Sequence, residues 1–540
     1  MSRFRIFSWL ASISAAILFA GCNSSGPALS GRPPGGPPSS ADVVTYHYDN
    51  QRTGQNLSEV TLTPANVNSA KFGKLGEFTV DGRVDAQPLY LSSVMIGGQN
   101  KNVLYVVTEH GSVYAFDADS INGTSSASLW KTSTLGTGET TSDNRGCGQV
   151  SPEIGITATP VIDRTRNAIY VIAMSKNSAG NYFQRIHALE LTTGAELFGG
   201  PKTVSAAFPG TGDNSSGGNV VFDPKQYKER PGLLEINGTI YTTWASHCDI
   251  RPYTSWVIGF DTNTLAQTAV FNLVPNGSDG GLWMSGAAPA ADSAGNIFFL
   301  VGNGTFETTL TAQGFPSNKD CGNCFAKLST GGGLALADYF TPQNTVAESN
   351  ADQDLGSGGT LLLPDLKDAS GATKHLALGG GKDSTVYVAD RDNMGKFNAS
   401  SNQIYQAISM PGAVFSAPAY FNGTVYLGAV GDALKAFPIT NAKLASVPAS
   451  QSSHVFGFPG ATPTVSANGT SNGIVWAIEN SGAILFAYDA TDLTKELYDS
   501  NQAVNNRDHF GGNKFITPMV VSGRVYVGTP NSVAVFGLLP

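Results

Sequence analysis

The side chains of this 540-residue chain that could bind or transform a ligand lie in polar stretches between short apolar runs. His110 and Glu153, His247 with Asp249, Trp283, Asp352 with Asp354, Lys382 with Asp383, and Asp508 with His509 are the candidates. Histidine and carboxylate side chains transfer protons near neutrality, and tryptophan offers a flat apolar face. A structural explanation stands beside each. A loop histidine more often makes a structural hydrogen bond, Trp283 can pack between sheets, and Asp352 and Asp354 can cap turns through their own following amides. No catalytic residue can be singled out at this level.

Cys147, Cys248, Cys321 and Cys324 form an even set downstream of an export signal, so two disulfides are expected, most simply Cys321 with Cys324 and Cys147 with Cys248. The Cys321-Gly322-Asn323-Cys324 stretch could instead be a redox or metal pair. No second CxxC and no nearby histidine supports zinc. Phe325 stands where a c-type haem attachment pattern needs His, so no haem is expected.

A repeat gathers these scattered residues. Residues 86–90, 103–106 and 113–117 open the first copy, and later copies begin at Ala158, Pro231, Ala288, Gly358, Ala417, Thr462 and Thr517. Each apolar run is short, rich in β-branched and aromatic residues, and bounded by Gly, Asn or Asp, which is the pattern of strands. Asn237, Asn422 and Asn468 each precede Gly, as tight turns require. The expected fold class is all-β: an eight-bladed β-propeller of four-stranded blades. The eighth copy ends at Phe536 after its third strand, so residues 73–80 are expected to supply the fourth and close the ring. Such a ring carries the loops between blades, and those between second and third strands, on one face, where the candidates would converge on a central funnel.

With 14% charged residues and 63 glycines the chain is no coiled coil, and its 41% hydrophobic content argues against global disorder. A formal charge of −9 disfavours nucleic acid as a partner. Arg3 and Arg5 precede an apolar stretch, residues 6–20, too short to span a bilayer. It ends in Ala20-Gly21-Cys22 and resembles a bacterial lipoprotein signal. Residues 1–21 are therefore expected to be removed, Cys22 to carry the lipid, residues 22–44 to be a Pro/Gly/Ser tether, and residues 45–540 to be the propeller. Asn23 after the cysteine implies, by the same resemblance, an exported monomer anchored to the outer membrane, on its periplasmic or cell-surface side.

The phrases 113–118 and 525–529 resemble the repeats of pyrroloquinoline-quinone-like (quinoprotein alcohol dehydrogenase-like) eight-bladed propellers, over residues 45–540. Residues 48–56, 246–249, 283–286, 302–306, 354–359 and 390–395 resemble one bacterial group of these proteins with no established reaction. The resemblance implies first a binding or scaffold lipoprotein that takes a protein, small-molecule or sugar ligand in its funnel, on the plan of the lipoprotein subunit of the outer-membrane barrel-assembly machine. The alternative is a dehydrogenase that oxidises an alcohol or sugar with pyrroloquinoline quinone and calcium. Trp283 would then be the floor under the quinone, and Asp352 or Asp354 would ligate calcium. Cys147 with Cys248, or Cys321 with Cys324, would replace the usual vicinal disulfide. A third reading is a polysaccharide lyase or hydrolase, for which no carboxylate pair can be chosen.

Overall fold

The structure, a computed structural model, describes residues 42–121 and 127–540. The signal sequence, Cys22 and residues 22–41 of the tether lie outside them. The fold is all-β, built on antiparallel sheets that succeed one another along the chain. Sheet I comprises Leu89–Ile96, Gln99–Val107, Ser112–Asp117 and Ser128–Ser133; sheet II comprises Val161–Asp163, Ala168–Asn177, Tyr182–Glu190 and Lys202–Thr203. Sheet III is made of Leu234–Ile236, Thr239–Ala245, Trp256–Asp261 and Gln267–Asn272, and sheet IV of Ala290–Ala291, Ile297–Leu300, Phe325–Ser329 and Ala335–Phe340. Leu361–Leu362, Leu376–Gly380, Thr385–Asp390 and Gln406–Ser409 form sheet V, and Ala419–Phe421, Thr424–Gly428, Asp432–Thr440 and Ser450–Phe456 form sheet VI. Sheet VII holds Thr464–Asn468, Ser471–Glu479, Ile484–Asp489 and Glu496–Asp499. Sheet VIII holds Met519–Val521, Arg524–Gly528 and Ser532–Leu538, with Phe72–Thr79 from the other end of the chain paired to Ser532–Leu538.

The repeat grammar explains the local structure. Pro88, Pro160, Pro289, Pro418, Pro463 and Pro518 each stand immediately before a first strand, where a missing N–H breaks no ladder bond. Asn237-Gly238 and Asn422-Gly423 turn with positive φ at both residues, which Asn and Gly tolerate. The apolar runs are continuous because both faces of each sheet are buried. In Ile297–Leu300 the period of two sends Ile297 and Phe299 toward sheet III, and Phe298 and Leu300 toward sheet V. Such clusters link sheet II to III, III to IV, and so on to VII and VIII, while one further cluster joins VIII, I and II. Phe72 enters the VII–VIII cluster and Phe78 the VIII–I cluster, so the early strand serves both neighbours. Second-strand tyrosines add a polar stitch: Tyr105, Tyr170 and Tyr426 donate to Leu191, Thr262 and Ala490 carbonyls of the following sheet.

Residues 42–44, expected in the tether, are instead part of the folded body, and with residues 45–59, to which the sequence assigned no place in the repeat, they visit the first strand or adjoining turn of every sheet in order. Val43 exchanges hydrogen bonds with Tyr90 of sheet I, and Ile162 of sheet II donates to Val44. Asn50 donates to Glu235 of sheet III and accepts from Ala291 of sheet IV. Leu362, Tyr420 and Val465 of sheets V, VI and VII donate to Gln51, Thr53 and Gly54. Asn56 donates to Val520 of sheet VIII. Arg52, fully buried, sits amid these contacts and donates to Pro289 O at 2.8 Å, Tyr46 O at 2.9 Å and Thr45 Oγ1 at 2.7 Å. Burial pushes its guanidinium down to about 10. The segment enters beside Arg164 and leaves beside Gly523, both in turns between first and second strands. It therefore runs along the first-strand edges, starting and ending at turns on the side opposite the loops that join one sheet to the next.

Replacing Arg52 by Met removes the donor from several buried oxygens at once, each costing about 1–3 kcal/mol when orphaned. Unfolding in urea is expected to lose about 3 kcal/mol or more, with Arg52→Lys recovering only part, because an ammonium lacks the planar fork. An unchanged midpoint in Arg52→Met would remove this segment's structural role.

Candidate functional site

On the face opposite that segment lies a small cleft of about 90 Å3, partly open to solvent. Every connection from sheet I through sheet VIII contributes to its wall. Gln149 comes from the I–II connection, Arg230 from II–III, Trp283 and Ser285 from III–IV, Asp354 and Ser357 from IV–V. Phe415, Phe458 and the pair Lys514 and Phe515 come from the next three. Asp249 and Lys382 reach in from the second-to-third-strand turns of sheets III and V.

Basic side chains meet here without acceptors. Lys228 is 2% exposed and Arg230 6% exposed, and among the described residues neither makes a hydrogen bond or ion pair. The Lys228 ammonium lies 5.9 Å from the centre of the Trp283 ring. Burial, and then the charge of Arg230, push Lys228 down to about 7. Two acids, Asp85 and Glu109, act on them through charge but pair with neither. Glu109 is buried, accepts the Gly155 N–H at 2.9 Å, and is raised to about 8 by burial and by Asp85. His247, beside them, has no hydrogen-bond partner for either ring nitrogen. Burial, then Lys228 and Arg145, lower it to about 3, so it is neutral at pH 7. Buried cations without acceptors are costly, and a site that tolerates several is built for an anion. The Trp283 indole adds a flat face, its pyrrole edge against Gly281 and Gly302, where a Cβ would stand 3.0 and 3.1 Å from the ring.

Across the cleft, Lys382 Nζ pairs with Asp354 Oδ1 at 2.9 Å and also with Asp352. Asp354 is almost wholly buried, and its other oxygen accepts the Gly356 N–H at 2.9 Å. Burial raises its pKa while Lys382 opposes the rise. The disulfide Cys321–Cys324 forms and presents Asn323, whose side-chain oxygen accepts the Leu355 N–H at 2.7 Å. The CxxC stretch is thus a structural clip that sets the backbone next to Asp354. The second disulfide, Cys147–Cys248, ties the I–II connection to sheet III, two residues from Gln149 and one from Asp249.

No protein-family model matches this sequence, and no curated protein does. Solved structures do. Quinohemoprotein alcohol dehydrogenase from Comamonas testosteroni superposes with a TM-score of 0.60 at 14% identity, covering 92% of this chain and 80% of that one. The quinohemoprotein alcohol dehydrogenase ADHIIG from Pseudomonas putida HK5 gives 0.60 at 13%, with the same coverage. A europium-containing methanol dehydrogenase gives 0.56 at 12%, covering 93% of this chain and 98% of that one. The chain has the quinoprotein alcohol dehydrogenase-like fold.

Within this quinoprotein-like β-propeller fold the sequence candidates separate. Asp249, Trp283, Asp354 and Lys382 line the cleft, with His247 and Asp352 next to them. Asp352 and Asp354 are both engaged by the Lys382 ammonium, and among the described residues no group of three or more His, Cys, Asp and Glu could hold a metal. A calcium ion at this pair would have to displace that ammonium, so no calcium step is derived. His110 and Glu153 pair with each other at 3.0 Å outside the cleft wall, the histidine half exposed. Asp383 accepts from Tyr387 O–H and Thr385 N–H, a turn-fixing role. Asp508 and His509 are corrected: Asp508 binds Arg507, Tyr498 and the Lys74 N–H on the outer strands of sheets VII and VIII, and His509 is exposed beside it.

The cations Lys228, Arg230 and Lys514 and the three phenylalanines were missed. The available signal was position, since Arg230, Phe415, Phe458 and Lys514-Phe515 each stand a few residues before a first-strand proline. Lys228 yields a pH test. The unfolded chain holds its proton up to about 10.4, the folded chain only to about 7. Folding therefore releases a proton between these values, and wild-type stability rises with pH relative to Lys228→Met, by up to about 1.4 kcal/mol per unit. Urea denaturation of both proteins at pH 7, 8 and 9 measures it. Parallel pH profiles would show that Lys228 keeps an ordinary pKa.

Proposed function

We propose that the eight sheets are the blades of one closed ring, sealed by Phe72–Thr79, and that its cleft holds a flat, multiply anionic quinone of the pyrroloquinoline-quinone kind for the oxidation of an alcohol. The ring is supported by the unbroken circuit of apolar clusters and by a segment that meets all eight sheets in order. The function rests on one observation above the others: the Lys228 ammonium, without an acceptor, over the ring of Trp283 at 5.9 Å from its centre. The fold of known quinohemoprotein alcohol dehydrogenases makes a quinone the natural planar anion. The residues present fit such a group. Trp283 would stack against its rings, and Lys228 would meet a carboxylate.

When bound, the quinone supplies the two-electron acceptor. The chain supplies the rest. Asp354 is the carboxylate placed to take a hydroxyl proton; burial raises its pKa, and the Lys382 ammonium opposes that rise. Ser285 and Ser357 are committed to the Ser357 and Val414 carbonyls and keep the floor in place.

The test is titration of the full-length protein with pyrroloquinoline quinone, with and without calcium, followed by dye reduction with primary alcohols. Saturable binding is expected, weakened at least about tenfold in Trp283→Ala and Lys228→Met. Asp354→Asn should bind normally but reduce dye at under about 1% of the wild-type rate. Absence of saturable binding in both conditions would return the protein to the scaffold reading, and binding without dye reduction would remove the dehydrogenase assignment.

A further inference from the structure

One wall of the cleft has no part in the quinone reading. Phe415, Phe458 and Phe515 come from three successive connections and stack edge to face, with ring centres 5.1 and 5.7 Å apart. They are not core residues. Phe458 is 50% exposed, the other two are partly exposed, and none belongs to an apolar cluster between sheets. Exposed aromatic rings gathered at a cleft mouth mark a contact surface for an apolar group.

The ring wall is paired with a cation. The Arg230 guanidinium lies 4.8 Å from the centre of the Phe515 ring, and the Lys514 ammonium 5.7 Å from it. Arg230 is 6% exposed and has no hydrogen-bond acceptor or ion-pair partner among the described residues. Stacking occupies one face of the guanidinium and leaves its N–H edges, the geometry that binds carboxylate in a fork. The acids whose charges act on it, Asp85 and Glu109, make no ion pair with it, and Glu109 is itself held toward its neutral form.

From this juxtaposition we propose that the outer half of the cleft is a subsite for an aromatic carboxylate, its ring on the Phe415–Phe458–Phe515 wall and its carboxylate on Arg230. A neutral aromatic alcohol would leave the buried guanidinium unpaired, and an aliphatic acid would leave the three rings uncovered. In the dehydrogenase reading, on which this substrate class rests, the alcohol to be oxidised is the ring substituent turned toward Asp354. The occupancy of the subsite itself does not require the quinone.

Calorimetry on the full-length protein without quinone tests it, with 4-(hydroxymethyl)benzoate, benzyl alcohol and acetate as probes. The aromatic acid is expected to bind at least about tenfold more tightly than either of the others. Arg230→Gln should abolish the preference for the acid over benzyl alcohol, with Arg230→Lys restoring part of it. Phe515→Leu should weaken both aromatic probes and spare their ratio. Equal binding of acid and alcohol, undetectable binding of the acid, or a preference that survives Arg230→Gln would each overturn the assignment. Because no quinone is present, a failed cofactor titration leaves this result standing, and failure here leaves the cofactor reading untouched.

Discussion

First strands that turn one edge toward a shared interior expose N–H and C=O groups where bulk water does not reach, and these groups must be paired. Residues 42–59 meet that demand one sheet at a time, and the buried guanidinium of Arg52 satisfies the carbonyls that the segment's own turns leave over. The cleft depends on this pairing. The connections at the other end form the cleft, and its walls are continuous with strands that this segment and the apolar clusters hold in place. The guanidinium suits the task because its planar fork reaches several oxygens at once.

The same rigidity permits an electrostatic arrangement that a flexible site would relax. Lys228 and Arg230 sit within hydrogen-bonding distance of no acid, while Glu109, the buried carboxyl whose charge acts on them, is raised by burial and Asp85. His247 is neutral and unpartnered. Each feature opposes stability in the empty protein, and together they leave net positive charge beside an indole face. Apolar clusters between all consecutive sheets offset the cost. The division of labour is spatial: sheet faces supply stability, while inter-sheet connections hold the strained charges.

The architecture was legible because it is written in a period. Runs such as Val113–Asp117 recur in each copy, a proline stands immediately before the first strand in six of the eight sheets, and both faces of each sheet demand the same apolar alternation. The pairing of the early strand with Ser532–Leu538 followed from a missing fourth strand in the last copy. Residues 42–59 were not legible, since their conformation answers to the edges of distant strands and has no period of its own. The site was half legible. Trp283, Asp354 and Lys382 stood out as polar or aromatic residues in long loops, but so did Asp508, whose partners on the outer strands no local pattern announces. Lys228, two residues before Arg230, reads as an ordinary surface lysine until tertiary structure buries it.

Asp354 shows how local and distant constraints combine in one functional group. Burial alone would protonate it, since a carboxylate removed from water without a partner is far less stable than its acid form. Lys382 supplies the opposing charge, but the pairing works only if the backbone holds the carboxylate still. That task falls to Asn323, locked between Cys321 and Cys324, whose amide oxygen takes the Leu355 N–H while its amide nitrogen donates to Glu348. A clip in sheet IV thus orients an acid that leads into sheet V, and the lysine that completes the pair comes from a turn within sheet V. The pairing is reinforced from outside, because Asp352 holds the same ammonium and keeps it against Asp354.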